Sequence, residues 1–436
     1  MSQVYIADLS DHVGETVEVR GWLYNRRSKG KIHFLILRDG SGFAQGIIGK
    51  GDVDDDSFDA CSSLGAESSI IVQGLVKQDD RAPGGFELGI SGIEILQTVE
   101  DYPIAKQSSD QSGPGPDFLL DRRHLWLRSK RQHAIMRIRH RIIQSIRNYF
   151  DDHDFINVDP PIFTPAACEG TTTLFETPYF DQTAYLTQSG QLYMEAAAQA
   201  HGRVYSFGPT FRAEKSKTRR HLTEFWMVEP EIAYATIEDV MHLAESFLQH
   251  IVTQVLTRCA TDLEALERDT APLTAITAAP FDRMTYDEVV TRLNAEGHEF
   301  TWGEDFGAPD ETAIGLWSDR PIMVHRWPRA IKAFYMQPDP NDERLCLGVD
   351  VLAPEGKGEI IGGAQRANSL SYLEQQIADH NLPKEAFEWY LDLRRFGACP
   401  SAGFGLGLER TVSWITGIDH VRECIPFPRT IYRLTP

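Results

Sequence analysis

The chain has 436 residues, which is more than one ordinary domain holds and predicts two or three folding units. Hydrophobic residues make up 42% of the chain, yet no apolar run reaches the ~18 residues that a membrane span needs, so we expect no membrane partner. The net charge of −20 argues against a protein that coats nucleic acid without specificity, although a local basic patch could still bind RNA.

The N-terminus and the cysteines indicate a cytoplasmic protein. The first fifteen residues have neither the basic start nor the apolar core of a signal peptide. The six cysteines are scattered and form no C-x-x-C pair, so we expect reduced thiols and neither a disulfide framework nor a zinc site.

The first hundred residues predict a β-barrel. Apolar and polar positions alternate in residues 17–23, as they do in a strand with one buried face. Four further apolar runs predict strands, and a short helical segment stands between the third and the fourth strand; the runs are 33–37, 43–48, 69–76 and 86–96, and the helix is 57–64. This order is the plan of the OB-fold, whose open face commonly binds oligonucleotides. We therefore predict a five-stranded OB-fold domain at residues 1–102.

Residues 103–118 predict a linker, because 107–116 contain no large apolar side chain and are rich in turn formers. Beyond the linker the pattern changes to long helices and separate strands. Helices are predicted at 133–150, 237–258 and 369–377, and strands at 204–207, 224–232 and 345–351. This irregular alternation indicates the α+β class, with a second domain at 119–436 built on an antiparallel sheet flanked by helices.

A glycine-rich segment near the C-terminus carries the first chemical signature. Gly403, Gly405 and Gly407 alternate along a predicted strand, and Glu409 and Arg410 follow. Glycine at every second position removes side chains from one face, so that a polyphosphate can approach the backbone while a guanidinium binds its oxygens. A glycine-bearing strand packed against a helix is the alternative. A dinucleotide-binding fold is excluded, because the third glycine spacing and a following βαβ unit are missing.

Residues 211–231 form a predicted hairpin whose loop carries four basic residues. Arg212 and Glu214 share one face of the first strand, and Phe225 on the second strand offers an aromatic plane. Phosphate-binding cations beside a stacking ring suit a nucleoside triphosphate. A solvated hairpin tip is the alternative.

A third segment, residues 155–161, closes a strand with the pair Pro160-Pro161 after a long helix. In this order the three segments resemble the signature motifs of class II aminoacyl-tRNA synthetases, and the resemblance covers nearly the whole chain. The N-terminal barrel narrows the resemblance to the aspartate/asparagine/lysine subgroup.

Four finer segments are similar to asparaginyl enzymes of this subgroup. They are residues 189–193, 220–229, 358–366 and 425–429. Aspartyl relatives usually have a proline and a lysine where this chain has Gly190 and Met194. One departure is Ser401, which follows Pro400 where the family usually has a histidine. The resemblance implies ATP, Mg²⁺, asparagine and tRNA(Asn) as ligands, and an asparaginyl-adenylate intermediate.

The resemblance also implies roles for single residues. Arg212 and Arg410 are the expected catalytic residues: Arg212 holds the α-phosphate, while Arg410 and His221 hold the β- and γ-phosphates. The complete set expected at ATP is Arg212, Glu214, His221, Leu222, Phe225, Glu359, Gly407 and Arg410. Asp350 and Glu359 match the carboxylates that bind magnesium, a cation that prefers oxygen ligands.

For the amino acid, the matching positions are Glu169, Ser189, Gln191, Glu195, Glu229, Gly362 and Arg366. Glu229 is the expected acceptor of the asparagine amide N–H, with Glu195 as the second candidate and an internal salt bridge of Glu229 to Arg366 or Arg212 as the alternative. Because asparagine and aspartate are nearly isosteric, only the charge of the pocket can separate them.

In the barrel, the positions matching anticodon contacts are Arg26, Arg27, Phe34 and Gln45. An exposed aromatic ring can stack a splayed base. Phe34 alternates with Ile32 and Ile36, however, so a place in the barrel core is the alternative.

The resemblance further implies a homodimer whose interface includes the helix that ends near Phe150 and the strand to Pro161. Three other functions remain open: a non-discriminating aspartyl-tRNA synthetase, an asparagine synthetase derived from this fold, and an RNA-binding paralogue without catalysis.

Overall fold

The computed structural model describes residues 2–104, 115–165, 167–169 and 174–436. The chain divides into two compact units, Met1–Leu119 and Leu120–Pro436. Most of the predicted linker at 103–118 lies outside the described residues, and the first helix after that gap begins at Pro116. Among the described residues, no helix is both long enough and apolar enough to cross a membrane.

The first unit is a closed five-stranded barrel with the strand order β1-β2-β3-β5-β4, which confirms the predicted OB-fold plan. Its strands are β1 (Thr16–Lys29), β2 (Ile32–Arg38), β3 (Phe43–Gly49), β4 (Ser69–Gln78) and β5 (Phe86–Gln97), and its helix is α1 (Asp55–Cys61). β3 and β5 pair in parallel and the other neighbours are antiparallel. The Asp54 side chain accepts a hydrogen bond from the Ser57 N–H and so caps α1.

The barrel interior follows from the period of two along each strand. Val17, Val19 and Leu23 of β1 are buried, and they meet Leu35 and Leu37 of β2 in one apolar core. Residues between these positions face outward, which places Arg27 of β1 and Phe34 of β2 on the outer face, whereas His33 and Arg38 are buried.

After the barrel, the described residues form eleven strands and twelve α-helices, and the first of these helices spans the boundary between the two units. The strands are β6 (Ile156–Asn157), β7 (Phe163–Thr164), β8 (Glu176–Tyr179), β9 (Gln182–Leu186), β10 (Arg203–Phe211), β11 (Glu224–Ala233), β12 (Asp282–Thr285), β13 (Ile322–Pro328), β14 (Leu345–Ala353), β15 (Gly358–Arg366) and β16 (Ser401–Gly407). The helices are α2 (Pro116–Asp121), α3 (Arg123–Trp126), α4 (Lys130–Asp152), α5 (Gln191–His201), α6 (Ile237–Arg258), α7 (Ala260–Ala265), α8 (Ala271–Ile276), α9 (Tyr286–Ala295), α10 (Ala308–Gly315), α11 (Leu370–Asp379), α12 (Lys384–Arg395) and α13 (Leu408–Thr416).

Eight of these strands form one sheet with the order β12-β13-β14-β15-β16-β11-β10-β6. Only the two outermost pairs, β12 with β13 and β10 with β6, are parallel. Helices α4 and α6 pack together, and the core that they share with the sheet includes Ile142, Phe150, Phe247 and Phe404. The predicted α+β class with an antiparallel sheet is therefore confirmed. A separate three-stranded sheet has the order β7-β9-β8.

Candidate active site

The central strands have one face against the helical core and one face toward a cavity. In β11, Val228 is buried in the core, while Met227 and Glu229 line the cavity. In β16, Phe404 and Leu406 belong to the core, and Gly405 between them lines the cavity. Because side chains alternate along a strand, each strand supplies both faces, and the polar residues at every second position converge on one side of the sheet.

The cavity has a volume of about 620 Å³, and a second, smaller compartment of about 100 Å³ adjoins it. Arg212, Met227, Glu359 and Gly405 line both spaces. A ligand with two dissimilar parts can therefore occupy both, with Arg212 and Glu359 at the point where the parts join.

All eight residues expected at ATP line the smaller compartment. They are Arg212, Glu214, His221, Leu222, Phe225, Glu359, Gly407 and Arg410. They come from the loop after β10, from β11, from β15 and from the junction of β16 with α13. Thr210 of β10 pairs with Phe225 of β11, and this register places the Phe225 ring near Arg212, which follows the end of β10.

Arg212 lacks the partners that a buried structural arginine normally has. Its guanidinium carbon lies 5.6 Å from the centroid of the Phe225 ring, and its Nε is buried without a hydrogen-bond partner among the described residues. Buried polar groups are ordinarily satisfied, so this orphaned donor indicates a place where a ligand supplies the acceptor. Arg410, by contrast, donates to the backbone carbonyl of Glu359 over 2.8 Å and is fixed against β15.

His221 stands beside Glu214 with 3.8 Å between its Nε2 and a carboxylate oxygen. Burial and the positive charge of Arg410 lower the pKa of His221 below the usual histidine value. Near neutral pH the ring is therefore uncharged, and a bound polyphosphate would favour its protonation.

The carboxylates of Asp350 on β14 and Glu359 on β15 lie close together beside Gly362, which pairs with Asp350. The carboxylates of both lie within 4 Å of the place where a Cβ on Gly362 would stand, at 3.7 Å and 3.0 Å respectively. Lys332 donates to Asp350 over 2.7 Å, and although burial opposes it, the Asp350 carboxylate raises the pKa of Lys332. Burial alone would raise the pKa of Glu359, but Arg410 and Lys332 hold it below the usual value, so Glu359 is ionised.

This pair of carboxylates fits a divalent cation that takes its remaining ligands from elsewhere. Among the residues that the structure describes, no group of three or more histidine, cysteine or acidic side chains is placed to hold a metal by itself. Magnesium is commonly bound by one or two carboxylates together with substrate phosphates, and the neighbouring compartment is the one lined by arginines.

Six of the seven residues expected at the amino acid line the larger compartment: Glu169, Ser189, Gln191, Glu229, Gly362 and Arg366. Glu229 accepts hydrogen bonds from the hydroxyls of Ser189 and Ser206 and from the Gly190 N–H. Arg366 is bound through Nε and one terminal nitrogen by the carboxylate of Glu231 instead. An internal salt bridge between Glu229 and Arg366, the alternative stated above, is therefore not formed.

The seventh residue, Glu195, is not part of the cavity lining, which corrects its expected contact with the amino acid. Its carboxylate is buried in α5, where Arg394 donates to it over 2.6 Å and the Tyr390 hydroxyl over 2.8 Å. A carboxylate already bound by a guanidinium and a phenol has little capacity left for a ligand. Met194 is also absent from the lining, because it packs with Ala198 and Val204 in a small apolar cluster.

At Gly403 and Gly405 of β16, other side chains of the protein occupy the space that a side chain would take. A Cβ at Gly403 would lie 2.3 Å from the carboxylate carbon of Glu231, and a Cβ at Gly405 would lie 2.4 Å from the methyl carbon of Met227. The space left by the first glycine is thus filled by the acid that holds Arg366. Gly405 and Gly407 both line the nucleotide compartment, and a Cβ at Gly407 would meet only Arg410.

Several residues of the site carry no signal in the sequence. Lys332 and Tyr335 lie in the segment between β13 and β14, which matches none of the motifs, and Glu311 lies in α10. The Tyr335 hydroxyl donates to Glu169 over 3.0 Å, and the backbone N–H groups of Cys168 and Glu169 both donate to Gln188. Distance along the chain hides such contacts, and only the folded sheet brings them together.

On the barrel, Phe34 is half-buried and faces outward, because its neighbours His33 and Leu35 take the interior positions. Its place in the barrel core, the alternative stated above, is thereby excluded. The Arg27 guanidinium carbon lies 4.6 Å from the centroid of the Phe34 ring, and Gln45 is on the adjacent strand of the same face, where it donates to Glu87 over 3.3 Å.

Arg26 points to the opposite side of β1 from Arg27. Its positive charge lowers the pKa of His33 together with burial, and it opposes the rise that burial gives to the pKa of Cys61. Adjacent residues of a strand project to opposite faces, so Arg26 and Arg27 do not form one basic cluster around Phe34.

An OB-type barrel, an antiparallel sheet and an arginine-lined cavity on that sheet together define a class II aminoacyl-tRNA synthetase. A family model described as tRNA synthetases class II (D, K and N) matches residues 115–431, and a model of the OB-fold nucleic acid binding domain matches residues 17–96.

The similarity extends over the whole chain. A protein of Sorangium cellulosum named asparagine–tRNA ligase is 57% identical over 99% of this chain and 98% of its own length. The protein of that name from Desulforamulus reducens is 55% identical over the full length of both. A crystal structure of asparaginyl-tRNA synthetase from Pyrococcus horikoshii complexed with asparaginyl-adenylate superimposes with a TM-score of 0.96 and 42% identity, covering 100% of this chain and 99% of the other. The chain belongs to the asparagine–tRNA ligase family of class II synthetases.

Proposed function

We infer that the chain attaches asparagine to tRNA(Asn) at the expense of ATP, which is converted to AMP and pyrophosphate. The observation that carries this assignment is the pair of joined compartments, with arginines and an aromatic ring in one and the hydrogen-bonded Glu229 in the other. In the first step the asparagine carboxylate attacks the α-phosphorus of ATP, so that asparaginyl-adenylate forms and pyrophosphate leaves. In the second step the terminal ribose hydroxyl of the tRNA attacks the adenylate carbonyl carbon, and AMP leaves.

Neither step requires a nucleophile from the protein, so the residues act by orientation and by stabilising charge. Arg212 stands where the two compartments join and binds the α-phosphate, where negative charge develops in the transition state. His221 and Arg410 bind the β- and γ-phosphates, and Phe225 stacks on the adenine. Glu214, beside His221, contacts the nucleotide from the same loop.

Asp350 and Glu359 would hold Mg²⁺ together with the phosphates. When bound, this ion would neutralise charge on the phosphate oxygens and orient them. Lys332 compensates the charge of Asp350 in the free protein.

Asparagine is selected through contacts to both the nitrogen and the oxygen of its side-chain carboxamide. Glu229 accepts from the amide nitrogen, and the terminal nitrogen of Arg366 that does not bind Glu231 donates to the amide oxygen. Aspartate would place a second carboxylate against Glu229 in a buried site, which is unfavourable. Glu169, Ser189 and Gln191 border the same compartment and bind the α-amino group.

The barrel binds the anticodon of the tRNA through the outer face of β1–β3. Phe34 stacks on a base, Arg27 lies near the negative charges of the RNA backbone, and Gln45 forms hydrogen bonds with the edge of a base.

The protein acts in the cytoplasm as a homodimer. Support for the dimer comes from the exposed apolar side chains on and beside the β7-β9-β8 sheet, where Phe163 is 51% exposed and Phe180 is 91% exposed.

Amino-acid-dependent exchange between ATP and pyrophosphate, measured with all twenty amino acids, tests the assignment. We expect exchange with asparagine alone, followed by charging of tRNA(Asn). Glu229→Gln should reduce the preference for asparagine over aspartate. The variant would still lack the two positively charged side chains of an aspartate site. Equal use of aspartate by the wild type would favour a non-discriminating aspartyl enzyme. Exchange without charging would favour an asparagine synthetase, and the absence of both would indicate a non-catalytic paralogue.

A further inference from the structure

The ionisation state of Glu229 is controlled by donors that are themselves buried. One carboxylate oxygen accepts from the Ser189 hydroxyl. The other oxygen accepts from the Gly190 N–H over 2.8 Å and from the Ser206 hydroxyl over 3.2 Å. Ser206 is 1% exposed and stands directly opposite Glu229 in the β10–β11 pair. It does not line the cavity, so its hydroxyl serves Glu229 and not a ligand.

The Gly190 N–H belongs to the amino end of α5. Gly190 is the N-cap residue of this eleven-residue helix, and its amide points at the carboxylate. Unpaired amide groups and the helix dipole at an amino end favour negative charge. Glu229 therefore has a hydroxyl from the neighbouring strand on one side and the end of a helix on another, and both stabilise its anionic form.

Glycine is required at position 190 by this close approach. A Cβ there would stand 2.6 Å from Cγ of Pro160, 3.0 Å from the Ser206 hydroxyl oxygen and 3.2 Å from the Glu229 carboxylate. Any larger residue would push the helix end away from the carboxylate. Proline, which fits the φ of −84°, would also delete the donated N–H.

The anionic form matters because it decides which substrate side chain can be paired. An ionised carboxylate only accepts hydrogen bonds, so it can pair with an amide N–H. A protonated Glu229 would instead donate one hydrogen bond, and that bond could be made to the carboxylate of aspartate. Discrimination between the two amino acids therefore depends on keeping the proton off Glu229.

The surroundings otherwise favour protonation. Burial raises the pKa of Glu229, and the charge of Glu169 adds to this rise, whereas the bonds from Ser189, Gly190 and Ser206 lower the pKa. The other titratable or charged groups around Glu229 are Cys168 beside Glu169, Glu231 on its own strand, Arg366 on β15 and Glu195 on α5. Arg366 is bound to Glu231 and therefore compensates the charge of Glu229 only in part, and the charge of Glu195 is itself balanced by Arg394.

We propose that Gly190 and Ser206 are specificity-determining residues, which hold Glu229 as a fixed carboxylate so that the cavity accepts a carboxamide and rejects a carboxylate. This inference rests on the proposed use of asparagine. Neither residue touches the substrate, and both act through Glu229.

The test compares asparagine and aspartate as substrates of the exchange reaction in Ser206→Ala, over a series of pH values. Deleting one hydrogen bond to a buried charge should lower the ratio of kcat/KM for the two amino acids by about tenfold. The loss should grow as the pH falls, because a weaker donor set raises the pKa of Glu229 and protonation then begins at a higher pH. Most of the change should appear in the KM values and not in kcat.

Ser145→Ala is the matched control, because Ser145 is also buried but donates to a carbonyl within its own helix α4. It should leave the ratio as in the wild type at every pH. Gly190→Pro should lower the ratio further, and its thermal unfolding shows whether the variant folds. If it does not fold, Ser206→Ala still decides the question.

The proposal is overturned by a Ser206→Ala enzyme whose ratio equals that of the wild type at all pH values. A purely structural role would slow both amino acids equally and give that result. If the wild-type enzyme itself does not use asparagine, the proposed function fails, and this outcome is distinct because it is seen before any variant is made.

Discussion

The guanidinium of Arg220 donates to the carboxylate of Glu311 over 2.7 Å, and this ion pair joins the loop between β10 and β11 to helix α10. The second terminal nitrogen of Arg220 donates to the Gly356 carbonyl over 2.6 Å and to the Thr312 hydroxyl over 3.0 Å. Gly358 has a φ of +80°, and a Cβ there would lie 2.3 Å from the arginine. One side chain thus ties the loop between β10 and β11 to α10 and to the turn between β14 and β15; Arg220 lines the nucleotide compartment, and Glu311 lines the larger one.

We predict that Arg220→Ala raises the KM for ATP by about tenfold while the KM for asparagine changes little. The next residue is His221, and Glu311 also accepts from the Glu359 N–H over 3.3 Å, so loss of the pair would release groups assigned to the phosphates. The expected size follows from the ~1–3 kcal/mol that a hydrogen-bonded charge contributes when it is partly buried. ATP dependence of the exchange rate is the measurement.

A double-mutant cycle with Glu311→Gln separates the pair from other effects, because the two changes should be less than additive. Arg292→Ala removes an exposed ion pair within helix α9 and serves as the control. Fully additive effects of the two substitutions on the KM for ATP would contradict this role for the pair.

We predict that Arg212→Ala and Arg410→Ala each reduce the exchange rate by at least about 10²-fold, the loss typical when one charge-stabilising donor is removed. Neither substitution should unfold the protein, because the Arg212 Nε has no hydrogen-bond partner among the described residues and Arg410 is only half-buried. Exchange kinetics and thermal unfolding measure the two effects. Arg139→Ala is the contrast, since that arginine is buried against Glu409 and its loss should destabilise the fold. A near-normal exchange rate in either active-site variant would remove its assigned role.

We predict that Phe34→Ala weakens charging of tRNA(Asn) by about ten- to hundredfold and leaves the exchange reaction unchanged. Loss of one stacked base costs roughly 1–3 kcal/mol of binding, and Phe34 faces outward from the barrel. Steady-state charging and exchange rates are compared on the same preparation. Leu35→Ala, at a fully buried neighbouring position, should instead lower the melting temperature of the barrel. Unfolding caused by Phe34→Ala would speak against the stacking role.

We predict that Phe163→Asp converts the proposed dimer to a monomer. The Phe163 ring lies 5.6 Å from that of Tyr179, and both are about half exposed, so they offer an apolar surface that a second copy can cover. Light scattering at micromolar concentration measures the change in mass. Phe396→Asp, at an apolar residue that is 75% exposed beyond α12, should leave the mass unchanged. A monomeric wild type would refute the dimer itself.

The sequence by itself determined the barrel, the antiparallel α+β unit and eight of the residues that line the nucleotide compartment. Strands and long helices have local signatures, namely hydrophobic periods of 2 and 3.6 residues, and these can be recognised in the sequence without knowledge of the fold. The residues that we propose contact ATP could be predicted because they lie in continuous segments, with Arg212, His221 and Phe225 within one hairpin. Because these residues belong to one hairpin, their spacing along the chain largely determines their relative positions in space.

Only the tertiary structure decided between residues whose local patterns are alike. Glu229 was the first candidate for the amide and Glu195 the second, and only the structure pairs Glu195 with Arg394 while β11 turns Glu229 into the cavity. Ser206, Lys332 and Glu311 were not found from the sequence, because each meets its partner from a different element. The physical reason is that a buried charge takes its partner from whatever the fold places within about 3 Å, and that distance is independent of separation along the chain.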